Sequence, residues 1–125
     1  MIYGIGTDIV HINRMRENLE KYGDKFARRV LTDSEFNEFA NKNDKAAFLA
    51  KRFAAKEATA KAMGTGFSQG LSLHHIGVTH DDAGKPVLAF IDIAEKFLQD
   101  KKIKQTHLSL ADERDYAVAF VTLVL

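Results

Sequence analysis

The segment Phe53 to Gly66, FAAKEATAKAMGTG, puts charge where a core helix should carry none. With Asn43 as N-cap, the apolar residues Ala46, Leu49, Ala50, Phe53 and Ala54 recur at helical spacing and predict a buried stripe on a helix over about 44–63. One turn beyond Phe53 that stripe meets Glu57, and one turn further it meets Lys61. A carboxylate on an inward face is costly unless it is paired, hydrogen-bonded or bound to a metal. Glu57 and Lys61 stand in the favourable order for a helical ion pair. The helix then runs into Gly64-Thr65-Gly66, where the backbone permits close approach of a ligand. A carboxylate, an ammonium and a glycine turn on one face suit the wall of a phosphate–metal site. The plainer alternative is a solvated Glu–Lys pair with Gly64 as the helix stop.

A second carboxylate strengthens the first reading. Residues Ile2 to Val10, IYGIGTDIV, alternate as a strand with Tyr3, Ile5, Thr7 and Ile9 on one face. The other face carries Gly4, Gly6 and Asp8, with almost no bulk before the carboxylate. That suits a strand packed closely against something, although Asp is poorly suited to a strand interior. Asp8 could instead cap a helix starting near His11 or Ile12, which would leave Glu57 unexplained. Two carboxylates from separate elements suit a hard cation such as magnesium, whose other positions go to waters and substrate phosphates.

Three runs, GTDIV, FAAKEATAKAMGTG and DYAVAFV, resemble holo-[acyl-carrier-protein] synthases, the small bacterial phosphopantetheinyl transferases, in the right order and over essentially the whole chain. The resemblance implies that Asp8 and Glu57 bind magnesium. It makes Lys61 a coenzyme A phosphate contact and a participant in proton transfer. It also assigns coenzyme A to the turn Gly64 and Gly66, to Gly84, Lys85 and Pro86 at its adenosine end, and to His107 and Ser109. The commoner family pattern H-x-S-x-[ST]-H appears here as His107-Leu108-Ser109-Leu110-Ala111-Asp112, so any role of the second His does not carry over. The implied reaction moves phosphopantetheine from coenzyme A to a serine of an apo acyl carrier protein, leaving adenosine bisphosphate. Glu57, a water on the metal, or Glu35 could take the serine proton. The family also implies a homotrimer with active sites between subunits, to which the apolar end YAVAFVTLVL is suited.

Charge distribution bears on the protein partner. The formal net charge is only +1, yet Arg14, Arg16, Lys21, Lys25, Arg28 and Arg29 crowd the segment from His11 to Leu31 against Glu17, Glu20 and Asp24. Such a patch attracts anionic partners. The acidic carrier protein implied by the family fits Arg14, Lys21, Lys25 and Arg28. Nucleic acid ranks lower, because the aromatic residues used for base stacking are not interleaved here. Zero cysteines remove disulfides, thiolate metal sites and thiol nucleophiles. No apolar run approaches a membrane span, and the start MIYGIGTDIV has no signal-peptide pattern, so a cytoplasmic protein is expected.

The remaining pattern predicts one α+β domain over 1–125, mostly antiparallel sheet packed against a long helix. Thr32 and Glu35 form a capping-box start for a helix to about Ala40. Strands are expected at His75–His80 and Pro86–Ile91, with the turn Asp81-Asp82-Ala83-Gly84-Lys85 between them. Asp92 caps an amphipathic helix whose inward residues are Ile93, Ala94, Phe97 and Leu98. Thr106–Leu110 and Tyr116–Leu125 close the chain as a hairpin. Neither a dinucleotide fingerprint nor a P-loop is present, His74, His75 and His80 lack zinc spacing, and Ser109 has no hydrolase-elbow context. The competing function class is a non-catalytic basic module for an acidic protein or RNA, with Glu57–Lys61 as a structural pair.

Overall fold

In the computed structural model, which describes residues 1–125, the chain runs β1 (Ile2–His11), α1 (Ile12–Tyr22), α2 (Asp24–Val30), α3 (Asp33–Phe39) and α4 (Lys45–Met63). A short 3-10 turn at Leu73–His75 leads into β2 (Ile76–His80) and β3 (Pro86–Phe90). α5 (Ile93–Asp100), β4 (Gln105–Glu113) and β5 (Tyr116–Val124) complete the α+β domain. Three strands form an antiparallel sheet in the order β1-β5-β4, and β2-β3 is a separate antiparallel hairpin.

Glycine decides how β1 meets α4. A Cβ on Gly4 would run into the Ala62 carbonyl, and one on Gly6 into the Ala58 carbonyl. The strand therefore lies directly on the helix backbone, as its bare face predicts. Register fixes the rest of that face: Asp8 pairs with Ala119 and Val10 with Ala117, and both alanines are fully buried. The opposite face turns Ile5, Thr7 and Ile9 outward beside Thr122, Phe120 and Val118.

α4 is buried on most sides, since it also packs against β5, α1 and β2. Ala46, Leu49, Ala50 and Ala54 are inside as expected, whereas Phe53 is only half-buried. Its N-cap is Asp44 and not Asn43: the Asp44 carboxylate accepts the Ala47 N–H at 3.0 Å. The side chains that carry charge into the interior are Arg52 and Lys56, not Glu57. Lys56 Nζ donates to Glu35 Oε1 at 2.6 Å and to the carbonyls of Leu73 and Ile76 at 3.0 and 2.7 Å, so all three of its protons have partners. Burial pushes the Lys56 ammonium below the usual lysine range, and Glu35 opposes that shift.

The Thr32–Glu35 capping box forms as expected, with both reciprocal bonds present. β4 extends beyond the expected Leu110 to Glu113, carrying Ala111 and Asp112 into the strand. Asp92 stands at the N-cap position of α5 at φ 52° but makes no side-chain cap bond. Within α5, Ala94 is fully buried and Phe97 and Leu98 are half-buried, while Ile93 faces solvent.

Candidate active site

Where β1 crosses the last turns of α4, Asp8, Glu57 and Lys61 come together. Asp8 does not cap α1, which starts at Ile12 with His11 at the N-cap and no side-chain cap bond. Its carboxylate points across to α4, and Lys61 Nζ donates to Asp8 Oδ1 at 3.0 Å and to the Thr7 carbonyl at 3.0 Å. The expected helical pair between Glu57 and Lys61 is therefore replaced by a pair between helix and strand. The ammonium gains a carbonyl as well as a carboxylate by reaching to β1.

Glu57 is left half-buried beside a second carboxylate. Its own burial raises its pKa above the ordinary value, the Asp8 charge raises it further, and Lys61 opposes both. A carboxylate with raised proton affinity is suited to proton transfer. Beyond Lys61 the helix stops at Gly64, at φ 80°, and the Gly66 N–H returns to the Ala60 carbonyl at 3.2 Å. Gly64 and Gly66 are exposed and adjoin Lys61 at the mouth of the site.

The donor chemistry fits a hard divalent cation. Asp8 and Glu57 supply oxygen ligands only, and no group of three or more His, Cys, Asp or Glu side chains is arranged to hold a metal ion. Magnesium takes one or two carboxylates and fills its remaining positions with water and phosphate oxygens. Zinc would call for a fuller set of nitrogen or sulfur ligands.

Other expected site residues lie elsewhere on the chain. Glu35 is a buried structural group: Oε1 accepts the Thr32 N–H and Lys56, and Oε2 accepts the Val78 N–H at 2.9 Å. It is 2% exposed, so it is removed as a proton acceptor for the reaction. His107 and Ser109 pair with Thr122 and Phe120 on the open face of the sheet, the side away from α4. A single chain thus does not gather them with Asp8. Gly84 and Lys85 are exposed in the β2–β3 turn, and Pro86 begins β3. Arg14, Lys21, Lys25 and Arg28 are all exposed along α1 and α2. Asp112 lies on the α4 side of β4 and forms an ion pair with Lys51 at 3.6 Å, a contact with no sequence-local signal. The Thr7 carbonyl is also undetectable from residue type, because its role is a backbone one.

Residues 4–121 match the profile of the 4′-phosphopantetheinyl transferase superfamily. The holo-[acyl-carrier-protein] synthase of Nitrosospira multiformis is 55% identical over 123 residues, which are 98% of each chain. The chain belongs to the holo-[acyl-carrier-protein] synthase family. Its fold agrees with that of other holo-[acyl-carrier-protein] synthases. The crystal structure from Neisseria meningitidis superposes with a TM-score of 0.93 at 46% identity, covering 98% of both chains. The Bacillus anthracis synthase, solved in complex with CoA (3′,5′-ADP), superposes with a TM-score of 0.81 at 39% identity over 98% of this chain and 96% of that one. No helix of this family member is long and apolar enough to cross a membrane.

Proposed function

We propose that this synthase uses coenzyme A as donor and magnesium held by Asp8 and Glu57, giving holo carrier protein and adenosine bisphosphate. The observation that carries the reading is the convergence of Asp8, Glu57 and Lys61 at the crossing of β1 and α4. Asp8 and Glu57 would hold magnesium, which would supply positive charge to offset the charge developing on the pyrophosphate. Asp8 and Glu57 fix that charge between strand and helix. Lys61 turns its ammonium to the same phosphates, and Gly64 and Gly66 leave the approach unobstructed by side chains. The proton of the carrier serine hydroxyl passes to a base at the site, Glu57 or a water beside it, as that oxygen bonds to phosphorus. The bond from phosphorus to the bridging oxygen then breaks, and adenosine bisphosphate leaves. Positioning and electrostatics supply most of the rate enhancement.

The exposed row Arg14, Lys21, Lys25 and Arg28 suits an acidic carrier protein, steering its encounter and fixing its orientation. The open sheet face supports a homotrimer with sites between subunits. Ile5, Ile9 and Phe120 are 58%, 63% and 46% exposed there, and His107 and Ser109 share that face. In such an assembly His107, Ser109 and the Gly84-Lys85-Pro86 turn of one copy contact coenzyme A at the Asp8 site of the next. The Bacillus anthracis relative with CoA bound supports the choice of donor.

Calorimetric titration of coenzyme A with and without magnesium tests this reading. The expected result is binding that tightens with magnesium and loses that gain in Asp8→Asn. Binding indifferent to the metal, or a metal effect undiminished in Asp8→Asn, would overturn the magnesium assignment, and no binding at all would overturn coenzyme A as the donor.

A further inference from the structure

The bond between Lys61 and Asp8 links two ligands that the site must accept. The Asp8 side chain is 16% exposed, so solvent reaches little of it, whereas Lys61 is 53% exposed and anchored only through its own helix. The ammonium rests on Asp8 Oδ1 and the Thr7 carbonyl, both contributed by β1. Nothing else in the chain bonds to it. Gly4 and Gly6 press β1 onto the Ala62 and Ala58 carbonyls, so the spacing between strand and helix has little slack. Asp8 cannot retreat from Lys61, but Lys61 can swing from Asp8 on its four-carbon stem.

Two carboxylates against one ammonium leave a site of net negative charge. A divalent cation joining Asp8 would meet the ammonium already there, and like charges so close in a partly desolvated corner repel. Polyphosphate changes that balance. Its oxygens give the ammonium a new partner on the exposed side and give the metal further ligands.

We propose that Lys61 is a tethered counter-ion that occupies Asp8 in the substrate-free enzyme and yields it when the phosphates of coenzyme A draw the ammonium away, so that metal and coenzyme A bind cooperatively through this one side chain. The inference rests on the metal reading given above and adds a coupling to it. By linkage, whatever factor coenzyme A adds to metal affinity, metal adds to coenzyme A affinity. Part of that factor comes from direct coordination of phosphate. The part assigned to Lys61 is the release of Asp8, and that part disappears when the ammonium is removed.

Manganese(II) binding to the full chain, followed by electron paramagnetic resonance with and without coenzyme A, tests the coupling. Lys61→Met keeps length and removes charge at an exposed position, and a thermal melt verifies its fold. Without coenzyme A, manganese should bind Lys61→Met about fivefold more tightly than wild type, the upper range for breaking an exposed ion pair. The tightening of manganese by coenzyme A should shrink in the same variant. Lys61→Arg, which keeps the charge, should bind manganese no more tightly than wild type. Unchanged or weaker manganese binding by coenzyme A-free Lys61→Met would overturn the inference, as would coupling of equal size in both proteins. Asp8→Asn separates the two levels. Loss of manganese binding there, with Lys61→Met unchanged, removes only the tether. Undiminished manganese binding by Asp8→Asn removes the metal site itself, and the tether with it.

Discussion

Lys56 and Glu35 meet at 2.6 Å in the interior, 0% and 2% exposed, one residue along the chain from the half-buried Glu57. The pair ties α3 to α4, and the further bonds of its two side chains reach the Leu73 and Ile76 carbonyls and the Val78 N–H. Arg52 Nε lies 3.5 Å from Glu35 Oε2 without a hydrogen-bond partner of its own, and its guanidinium stacks over Phe48 at 4.5 Å. The cluster fastens α4, the helix that also carries Glu57 and Lys61, to α3 and to the start of β2.

Breaking that pair on one side should cost far more than removing both charges. Lys56→Met removes the shortest ionic partner of the buried Glu35 carboxylate, leaving it Arg52 at 3.5 Å and two backbone N–H groups, and should destabilise the fold by about 3 kcal/mol. Combining it with Glu35→Gln should cost less than the sum of the two single changes, because neither remaining group is an uncompensated ion. Urea unfolding of the two single variants and the double variant measures this coupling.

Gly6→Ala should be among the most damaging single-methyl insertions in the chain. The new Cβ collides with the Ala58 carbonyl, which belongs to a helix that is packed on several sides and has nowhere to shift. A loss of about 2 kcal/mol or more is expected. Transfer activity should fall with it, since Asp8 would be moved away from Glu57, the carboxylate with which it shares the metal. Thermal melts and turnover measured on the same preparation check both effects.

Removing the Glu57 charge should stabilise the protein when no divalent metal is added. Its folded pKa is raised by burial and by Asp8, so the unfolded chain gives up this proton at a lower pH than the folded one. The stability linked to the bound proton is fully present below about pH 4.5, near the unfolded carboxyl value, and is lost as pH rises through the folded value. Glu57→Gln mimics the protonated form. Its advantage over wild type should be absent in acid and grow to a plateau near neutrality. The gain should be small, roughly 1–3 °C in Tm, because Glu57 is partly solvated. Melting curves between acid and neutral pH in chelator read the effect directly.

Arg14→Glu should separate the two substrates. Placing like charge against an acidic carrier should raise the KM for the carrier and leave that for coenzyme A nearly unchanged. Wild-type turnover at low carrier concentration should fall as salt rises, because exposed charges are screened over about 8–10 Å at physiological ionic strength. Michaelis constants for both substrates at low and high salt give the answer. Loss of coenzyme A affinity with carrier affinity intact would move the basic row to the nucleotide.

Local signals were legible where a few neighbouring residues carry them. The Thr32–Glu35 box, the glycine face of β1 and the turn before Pro86 depend on residues close in sequence, and the structure reproduces them. Asp8 and Glu57 stood out because acids are misplaced in a strand and on an apolar helix. What stayed hidden depends on distant partners. Lys61 abandons Glu57 for Asp8, 53 residues away, and Lys56 finds Glu35 across 21. A lysine followed by a glutamate in a helix looks solvated, so the buried Lys56 carried no local mark. The placement of His107 and Ser109 on the open face follows from strand register alone.

Mass spectrometry of an apo acyl carrier protein incubated with this chain, coenzyme A and magnesium tests the central claim most directly. The expected result is a carrier heavier by one phosphopantetheine, lost when magnesium is chelated and slowed at least ~100-fold in Asp8→Asn and in Glu57→Gln, the scale of removing a group that stabilises transition-state charge. A carrier of unchanged mass, or transfer at wild-type rate by either variant, would contradict it.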